Sequence, residues 1–265
     1  MVHGVLYLLT SIISSTLIYY YCGLYNIWWY CFFVPILLLI GFFIAAFIVD
    51  ILIKFIFSLF INVNKPIKKR SNFFYWITID MTRFLFFICN IKVNIINKEN
   101  LIKEPSLIVY NHISDWDPMT LMKIVHGVKV TCITKPSNLK IFVAGAFIHK
   151  AGFISIDRED NVKAIKSILE ACKYIENGTS VVLAPEGTRA KDLVLKDFKP
   201  GSFKIATRSK CPILITSIKN TNLVGKNAPF KRTNVYINII KILRYEEYKD
   251  MTTVDIAKYC HDLVA

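Results

Sequence analysis

Two residues of one short segment could act together as a general base. The segment from Asn111 to Pro118 reads NHISDWDP and places His112 five positions before Asp117. On a continuous helix these side chains would point about 140° apart, so a turn must bring them together. The Asp-Pro step supplies one, with Asp117 as the predicted N-cap and Pro118 as the first helical residue. A carboxylate that accepts one ring proton leaves the other imidazole nitrogen free to take a proton from a substrate; alternatively, Asp117 only caps a helix and His112 is an ordinary loop residue.

A second segment, from Ala184 to Arg189, reads APEGTR and follows a predicted buried strand. The Arg189 guanidinium could bind phosphate oxygens through two hydrogen bonds, Gly187 would let the backbone approach closely, and Glu186 could orient a hydroxyl group. Lys199 lies at the start of a further predicted helix, where anions also bind. These residues predict a phosphate site, and the alternative is a surface turn with an Arg–Glu ion pair.

The elements that would position both segments alternate between strands and helices. Short apolar and β-branched runs predict six strands, at 106–110, 129–134, 152–156, 180–184, 212–218 and 234–243. A helix is predicted between the third and fourth strands, with Asp160 or Asn161 capping its start and Gly178 its end. This alternation predicts an α/β fold with a mostly parallel central sheet flanked by helices, in which ligand sites form where strands end.

The front of the chain differs from the remainder. Residues 5–22 and 27–49 are uncharged apolar runs that would extend about 27 and 34 Å as helices, close to the roughly 30 Å of a bilayer core. We expect a two-helix membrane hairpin that either spans the bilayer or dips into one leaflet. The basic cluster at 65–70 then places the following domain on the cytoplasmic face, although such a cluster is also typical of nucleic-acid binding.

The expected domain organisation has three parts. Residues 1–64 form the membrane-embedded hairpin, 65–104 a basic and amphipathic interfacial segment, and 105–265 the α/β domain. Within the second part, the aromatic run 73–91 predicts a helix in the lipid interface or, alternatively, a buried core helix.

The composition supports a basic protein that associates with membranes. The 33 Lys and Arg residues against 19 Asp and Glu residues give a net charge of +14, and residues 1–64 hold only Asp50 and Lys54, so the whole excess lies beyond them. With 54% hydrophobic and 20% charged residues, the chain is not a disordered one. The seven cysteines form no close pairs, which excludes a readable disulfide framework or cysteine zinc site and fits a reducing compartment.

Four segments, in order, resemble the glycerolipid acyltransferase family, which includes the bacterial 1-acylglycerol-3-phosphate acyltransferases. Asn111, His112, Ser114 and Asp117 match the first block of that family. The second block is similar to GFISIDR at 152–158, the third matches PEGTR at 185–189 in full, and the fourth is similar to the strand that Pro212 opens.

The resemblance implies transfer of a fatty acyl group from an acyl-CoA or acyl-carrier-protein thioester to the sn-2 hydroxyl of lysophosphatidic acid, which gives phosphatidic acid for phospholipid biosynthesis. His112, oriented by Asp117, would be the general base, without an acyl-enzyme, a metal or a cofactor. Arg189 and Arg158, with Lys135 or Lys199, would hold the acceptor phosphate. The other residues of the implied substrate-binding set are Asn111, Ser114, Gly152, Asp157, Glu186, Gly187, Thr188 and Pro212. The implied partners are membrane lipids and the acyl donor, and not nucleic acid.

Three other functions stay open on the sequence. The acceptor could be another lysophospholipid or glycerol-3-phosphate. A metal-dependent phosphohydrolase would use His112, Asp115 and Asp117 as ligands, but it needs further ligands, and the other histidines are isolated in the sequence. A non-catalytic basic protein that binds membranes or nucleic acid would need none of these side chains for chemistry.

Overall fold

The structure is a computed structural model that describes residues 2–26, 30–65, 67, 70–122, 129–157, 160–190 and 192–265. Its strands are β1 (Ile91–Ile96), β2 (Leu107–Val109), β3 (Lys129–Thr134), β4 (Ile154–Ser155), β5 (Thr179–Leu183), β6 (Ile213–Lys219) and β7 (Thr233–Leu243). Together they form one seven-stranded sheet in the order β1-β7-β6-β2-β5-β3-β4.

The sheet is mostly parallel, which confirms the predicted α/β fold. β2 to β6 all run in the same direction, β7 is antiparallel to β6, and β1 is parallel to β7. We call the edge where β2 to β6 end the carboxyl edge, and the opposite one the amino edge. Because β2 and β5 are buried throughout, their sequences are continuous apolar or small-residue runs and do not alternate with exposed polar residues.

Helices cover both faces of the sheet. They are α1 (Val2–Tyr21), α2 (Tyr30–Leu59), α3 (Asn72–Ile88), α4 (Asp117–Leu121), α5 (Ala144–Lys150), α6 (Asn161–Glu176), α7 (Lys204–Ser209), α8 (Val224–Asn227), α9 (Tyr245–Tyr248) and α10 (Thr253–Val264). α6, α7 and α10 pack on one face through buried side chains such as Ile205. α3, α4 and α8 pack on the other through side chains such as Leu121. Each side chain buried in this way stabilises the fold by about 1.5–3 kcal/mol.

The structure contains all six predicted strands, with ends that shift by at most two residues. It also contains the predicted helix α6, which Asp160 caps by accepting hydrogen bonds from the backbone N–H groups of Val162 and Lys163 at 3.0 Å. Gly178 follows its end with a φ of +78°. β1 was not predicted from the sequence, because it lies in the segment 65–104 that we expected at the lipid interface. It instead pairs with β7 at the edge of the sheet.

The aromatic run expected at the lipid interface forms α3, and this helix has two different sides. Phe86 is buried in the sheet core, as the alternative interpretation proposed, whereas Phe84, about 200° away around the helix, is buried against Tyr7 of α1. Trp76 and Phe87 lie on the exposed side, and Phe87 is 67% exposed. The helix ends where Asn90 adopts a left-handed φ of +51° and turns the chain into β1.

The two N-terminal helices, α1 and α2, form the expected apolar hairpin. α2 continues ten residues past the predicted end at position 49, and both helices are long and apolar enough to cross a membrane. α1 begins beside the middle of α3, where the ring of His3 lies 2.5 Å from the Asp80 carboxylate. It runs in the same direction as α3, because Tyr7, one turn further along α1, contacts Phe84, one turn further along α3. Because α3 leads into the first residue of β1 at the carboxyl edge, the hairpin extends about 20 Å beyond that edge.

Candidate active site

The loop that follows β2 brings His112 and Asp117 together at the carboxyl edge. His112 Nδ1 lies 2.9 Å from Oδ2 of Asp117, whose side chain is fully buried, while the His112 side chain is 15% exposed. An ionised carboxylate only accepts hydrogen bonds, so Nδ1 carries the ring proton and Nε2 keeps its lone pair for a substrate. The predicted contact is therefore present, with the geometry that a general base requires.

Asp117 does not cap α4, so that part of the prediction was wrong. α4 begins at Asp117 itself, and the carboxylate is turned back into the loop, where it accepts hydrogen bonds from the backbone N–H groups of Ile113 and Ser114 at 2.8 Å each. Its other oxygen, Oδ1, accepts a hydrogen bond of 2.5 Å from the hydroxyl of Thr221. Asp117 thus orients the imidazole and folds the loop at the same time.

Glu186 links this loop to the loop that follows β5. Its side chain is buried, and its two oxygens accept hydrogen bonds from the backbone N–H groups of His112, at 2.6 Å, and Lys196, at 3.2 Å. Burial raises the pKa of Glu186 above its ordinary value, and the two N–H groups counteract this. Both oxygens are engaged by the backbone, so Glu186 positions the site, whereas the sequence predicted contact with the substrate. Gly187, with a φ of +80°, makes the turn that follows.

Arg189 lies on the exposed side of the same pair of loops. Its Nη1 donates a hydrogen bond of 2.5 Å to the carboxylate of Asp115, and both side chains are substantially exposed. An exposed ion pair contributes at most about 1 kcal/mol, so a doubly charged phosphate could replace Asp115. Lys196 adds positive charge here, because its Nζ donates to the Thr188 hydroxyl at 3.3 Å and to the Arg189 carbonyl at 2.9 Å.

Two residues of the first motif hold the backbone in place and were expected to bind substrate. The Asn111 amide pairs with both backbone groups of Ile218: its oxygen accepts at 2.7 Å and its nitrogen donates at 3.0 Å, which ties the end of β2 to β6. The hydroxyl of Ser114 is buried and accepts a hydrogen bond from the backbone N–H of Trp116 at 3.3 Å.

Three other predicted residues lie at the carboxyl edge without touching His112. Lys135 follows β3 and is exposed, and Asp157 follows β4 and pairs with Lys163 at 3.5 Å. Lys199 is exposed, and its backbone N–H donates to the Pro185 carbonyl at 3.0 Å. Arg158 lies outside the described residues.

Gly152 and Pro212 were also predicted to bind substrate, and the structure places neither of them in contact with His112. Pro212 precedes β6 at the amino edge, which strand length places about 20 Å from Ile218. Gly152 lies beside Tyr174 and Arg70, and a Cβ added to it would lie 2.6 Å from the Tyr174 hydroxyl. The motifs indicate the family, but they do not tell which motif residues surround one substrate.

Two residues of the site were not predicted from the sequence. Thr221 follows β6 and lies 104 positions from Asp117, and Lys196 lies in the loop beyond the third motif. A cavity of about 330 Å³ opens next to Asn111 and Glu186, between the loop 193–195 and the end of α10. Among the described residues, no three His, Cys, Asp or Glu side chains are arranged as metal ligands.

Comparison with known proteins relates this chain to a family of acyltransferases. A family model described as Acyltransferase matches residues 92–219. The chain is 30% identical over 166 residues to the 1-acyl-sn-glycerol-3-phosphate acyltransferase of Haemophilus influenzae, a match that covers 61% of this chain and 68% of that protein. It is 28% identical over 177 residues to the protein of the same name from Borreliella burgdorferi, covering 64% and 70%.

A solved structure has the same fold. The crystal structure of the 1-acyl-sn-glycerophosphate (LPA) acyltransferase PlsC from Thermotoga maritima matches with a TM-score of 0.57 at 22% identity, and the match covers 72% of this chain and 76% of that one. The solved structure shows the shared fold, and the sequence match to the Haemophilus influenzae protein shows that the chain belongs to the 1-acyl-sn-glycerol-3-phosphate acyltransferase family.

Proposed function

We propose that the chain transfers a fatty acyl group from an acyl-CoA or acyl-carrier-protein thioester to the sn-2 hydroxyl of 1-acylglycerol-3-phosphate, which gives phosphatidic acid. The observation that carries this proposal is the hydrogen bond of 2.9 Å between His112 and the buried Asp117, in a chain of this family. The reaction uses no metal and no cofactor apart from the donor thioester.

In the proposed step, Nε2 of His112 takes the proton of the sn-2 hydroxyl as that oxygen attacks the thioester carbonyl. The new ester C–O bond forms, the C–S bond breaks, and the proton passes from the imidazolium to the departing thiolate. The negative charge of Asp117 stabilises the imidazolium between these two events. Such a base contributes typically about 10²–10⁴ in rate.

The acceptor phosphate is proposed to bind Arg189, with Lys196 and Lys199 nearby. These three side chains follow β5, next to the strand that carries His112, so a phosphate there lies on the exposed side of the imidazole. A guanidinium binds a phosphate through two parallel hydrogen bonds, whereas Asp115 occupies only Nη1 in this structure.

The hairpin supports a position at the membrane surface. α1 and α2 extend from the carboxyl edge, so inserting them in a bilayer brings His112 close to the lipid headgroups, where a lysophospholipid acceptor resides. Lys65 and Arg70 follow α2 closely in sequence, and positive charge in this place favours the cytoplasmic face.

The test is an assay of the full chain reconstituted in liposomes. Acyl-CoA or acyl-carrier protein is supplied with 1-acylglycerol-3-phosphate, 1-acylglycerophosphocholine or glycerol-3-phosphate, thiol release is followed, and the lipid product is identified by mass spectrometry. We expect phosphatidic acid from the first acceptor, and its loss in His112→Ala. Transfer to another acceptor alone would overturn the substrate assignment, and full activity of His112→Ala would overturn the mechanism.

A further inference from the structure

A second concave region, which we call the basic groove, lies on the other side of the domain from His112. It has a volume of about 980 Å³ and lies between α6, the first residues of β3 and β5, and Ile67, Arg70 and Asn72. Lys129 begins β3 and Thr179 begins β5, so the groove opens at the amino edge. From Thr179 to Pro185 the strand and its end cover about 20 Å, so a ligand in the groove does not touch the active site.

The lining of the groove is strongly cationic. Arg70, Lys129, Lys166 and Lys173 line it against a single acid, Glu170. Lys166, Glu170 and Lys173 are spaced four and three residues apart on α6, which puts them on one face of that helix. None of the three lysines forms a salt bridge with another described residue. Lys173 lies close enough to Glu170 for its charge to counteract the burial that raises the pKa of Glu170.

The side chain of Arg70, which lines the groove, carries a hydrogen-bond donor without an acceptor among the described residues. Its guanidinium carbon lies 4.2 Å from the centre of the Tyr75 ring, which holds the plane of the group by stacking. Its Nη1 is buried and has no hydrogen-bond partner among the residues that the structure describes. A buried donor without an acceptor is unfavourable, so a rotation of the guanidinium that brings Nη1 to a phosphate oxygen in the groove would be favourable.

Gly152 provides the space that the Arg70 side chain occupies. A Cβ at this position would lie 2.9 Å from Arg70 Cγ and 2.6 Å from the Tyr174 hydroxyl, and the φ of Gly152 is +90°, which other residues rarely adopt. The shape of the groove therefore accounts for a glycine at this position.

We propose that the basic groove binds a soluble organic phosphate of nucleotide size, with Arg70 as the principal contact and the three lysines around it. The volume lies at the upper end of the range for small-molecule sites and far exceeds that of a lone phosphate ion. The groove opens at the edge opposite to the one from which the hairpin extends, so it faces water and not the lipid surface. The proposal does not depend on the acyl transfer reaction.

The test measures binding of three probes to the full chain in uncharged detergent micelles by titration calorimetry. The probes are ADP, inorganic phosphate and the short-chain lipid dihexanoyl phosphatidic acid. We expect ADP to bind most tightly, and Arg70→Ala to weaken it by about tenfold or more, because hydrogen bonds between charged groups are lost. The ADP affinity of Arg70→Lys should lie between those of the unaltered chain and Arg70→Ala, since lysine keeps the charge but not the planar pair of donors.

Matched controls separate the groove from general electrostatics and from the active site. Lys258→Ala removes an exposed lysine of α10 outside the groove and should leave ADP binding unchanged. His112→Ala should also bind ADP like the unaltered chain, and unfolding temperatures establish that each variant is folded. Equal weakening by Lys258→Ala and Arg70→Ala, loss of binding in His112→Ala, or absence of ADP binding would overturn the proposal. Binding of dihexanoyl phosphatidic acid alone would overturn the assignment to a soluble ligand.

Discussion

Replacing Asp117 by Asn isolates the contribution of one negative charge to the proposed reaction. Oδ2 accepts three hydrogen bonds, from His112 and the backbone N–H groups of Ile113 and Ser114, and Oδ1 accepts one from Thr221. An asparagine oxygen can keep the first three, and the Thr221 hydroxyl can rotate to accept from the new amide. The loop should therefore stay folded, while the imidazolium loses its buried counter-charge at 2.9 Å.

Breaking a buried ion pair by removing one partner costs about 3–5 kcal/mol, so kcat should fall by about 10²–10⁴ in Asp117→Asn. The KM for the acceptor should change little, because Asp117 lies beneath His112 and faces away from the substrate. Initial rates of thiol release in liposomes measure both constants, and thermal unfolding measures the stability of the variant.

Thr221→Val is the matched control, because it removes one hydrogen bond to Asp117 and no charge. We expect kcat to fall by no more than about 10–100-fold, because a hydrogen bond to a charged group contributes about 1.5–3 kcal/mol. If Asp117→Asn loses no more activity than Thr221→Val while both remain folded, the charge does not drive the reaction and the reasoning is refuted.

Three further predictions concern other parts of the site. Glu186→Gln places an amide nitrogen against a backbone N–H, so the free energy of unfolding should fall by about 1–3 kcal/mol in denaturant titrations near neutral pH. Burial raises the pKa of Glu186, so the folded chain holds the proton of this carboxyl group more tightly than the unfolded chain does. The stability that Glu186 contributes in this way is present below its ordinary pKa and is lost as the pH rises through the raised pKa. Glu186→Gln should remove this pH dependence of the unfolding free energy. Arg189→Ala should raise the KM for the acceptor by about 10–100-fold, whereas Asp115→Ala should lower this KM by at most about fivefold. Acceptor titrations in which both variants change the KM in the same direction would contradict a phosphate at Arg189. EDTA should leave the rate unchanged, and a loss that added metal restores would contradict the metal-free reaction.

The strands were predictable because their residues are determined locally. β3 and β5 are buried runs of β-branched and small residues, and such runs adopt extended structure wherever they meet a core. β1 was missed because IKVNII is short and follows a long apolar helix, so that only its pairing with β7 identifies it as a strand. The pairing joins residues more than 140 positions apart, which a local pattern does not contain.

The reacting residues of the site were predictable from the sequence, whereas the hydrogen bonds that hold them in place were less so. The contact between His112 and Asp117 follows from a turn inside one short segment. The roles of Glu186 and Thr221 depend on which loops meet at the carboxyl edge, so they required the sheet order. The neighbours of Gly152 were not predictable for the same reason, since Arg70 and Tyr174 come from distant parts of the chain.

The continuity of α2 has a mechanical consequence. This helix runs without interruption from Tyr30 to Leu59, and near its end Phe55 stacks on Phe142, in the segment between β3 and α5, at a centroid distance of 5.0 Å. With the hairpin inserted in a bilayer, as we propose, this continuous helix would couple the depth of the hairpin in the lipid to the height of His112 above it. Each added or deleted turn of α2 would change that height by about 5.4 Å, so on this proposal bilayer thickness would influence which hydroxyl group lies within reach of His112.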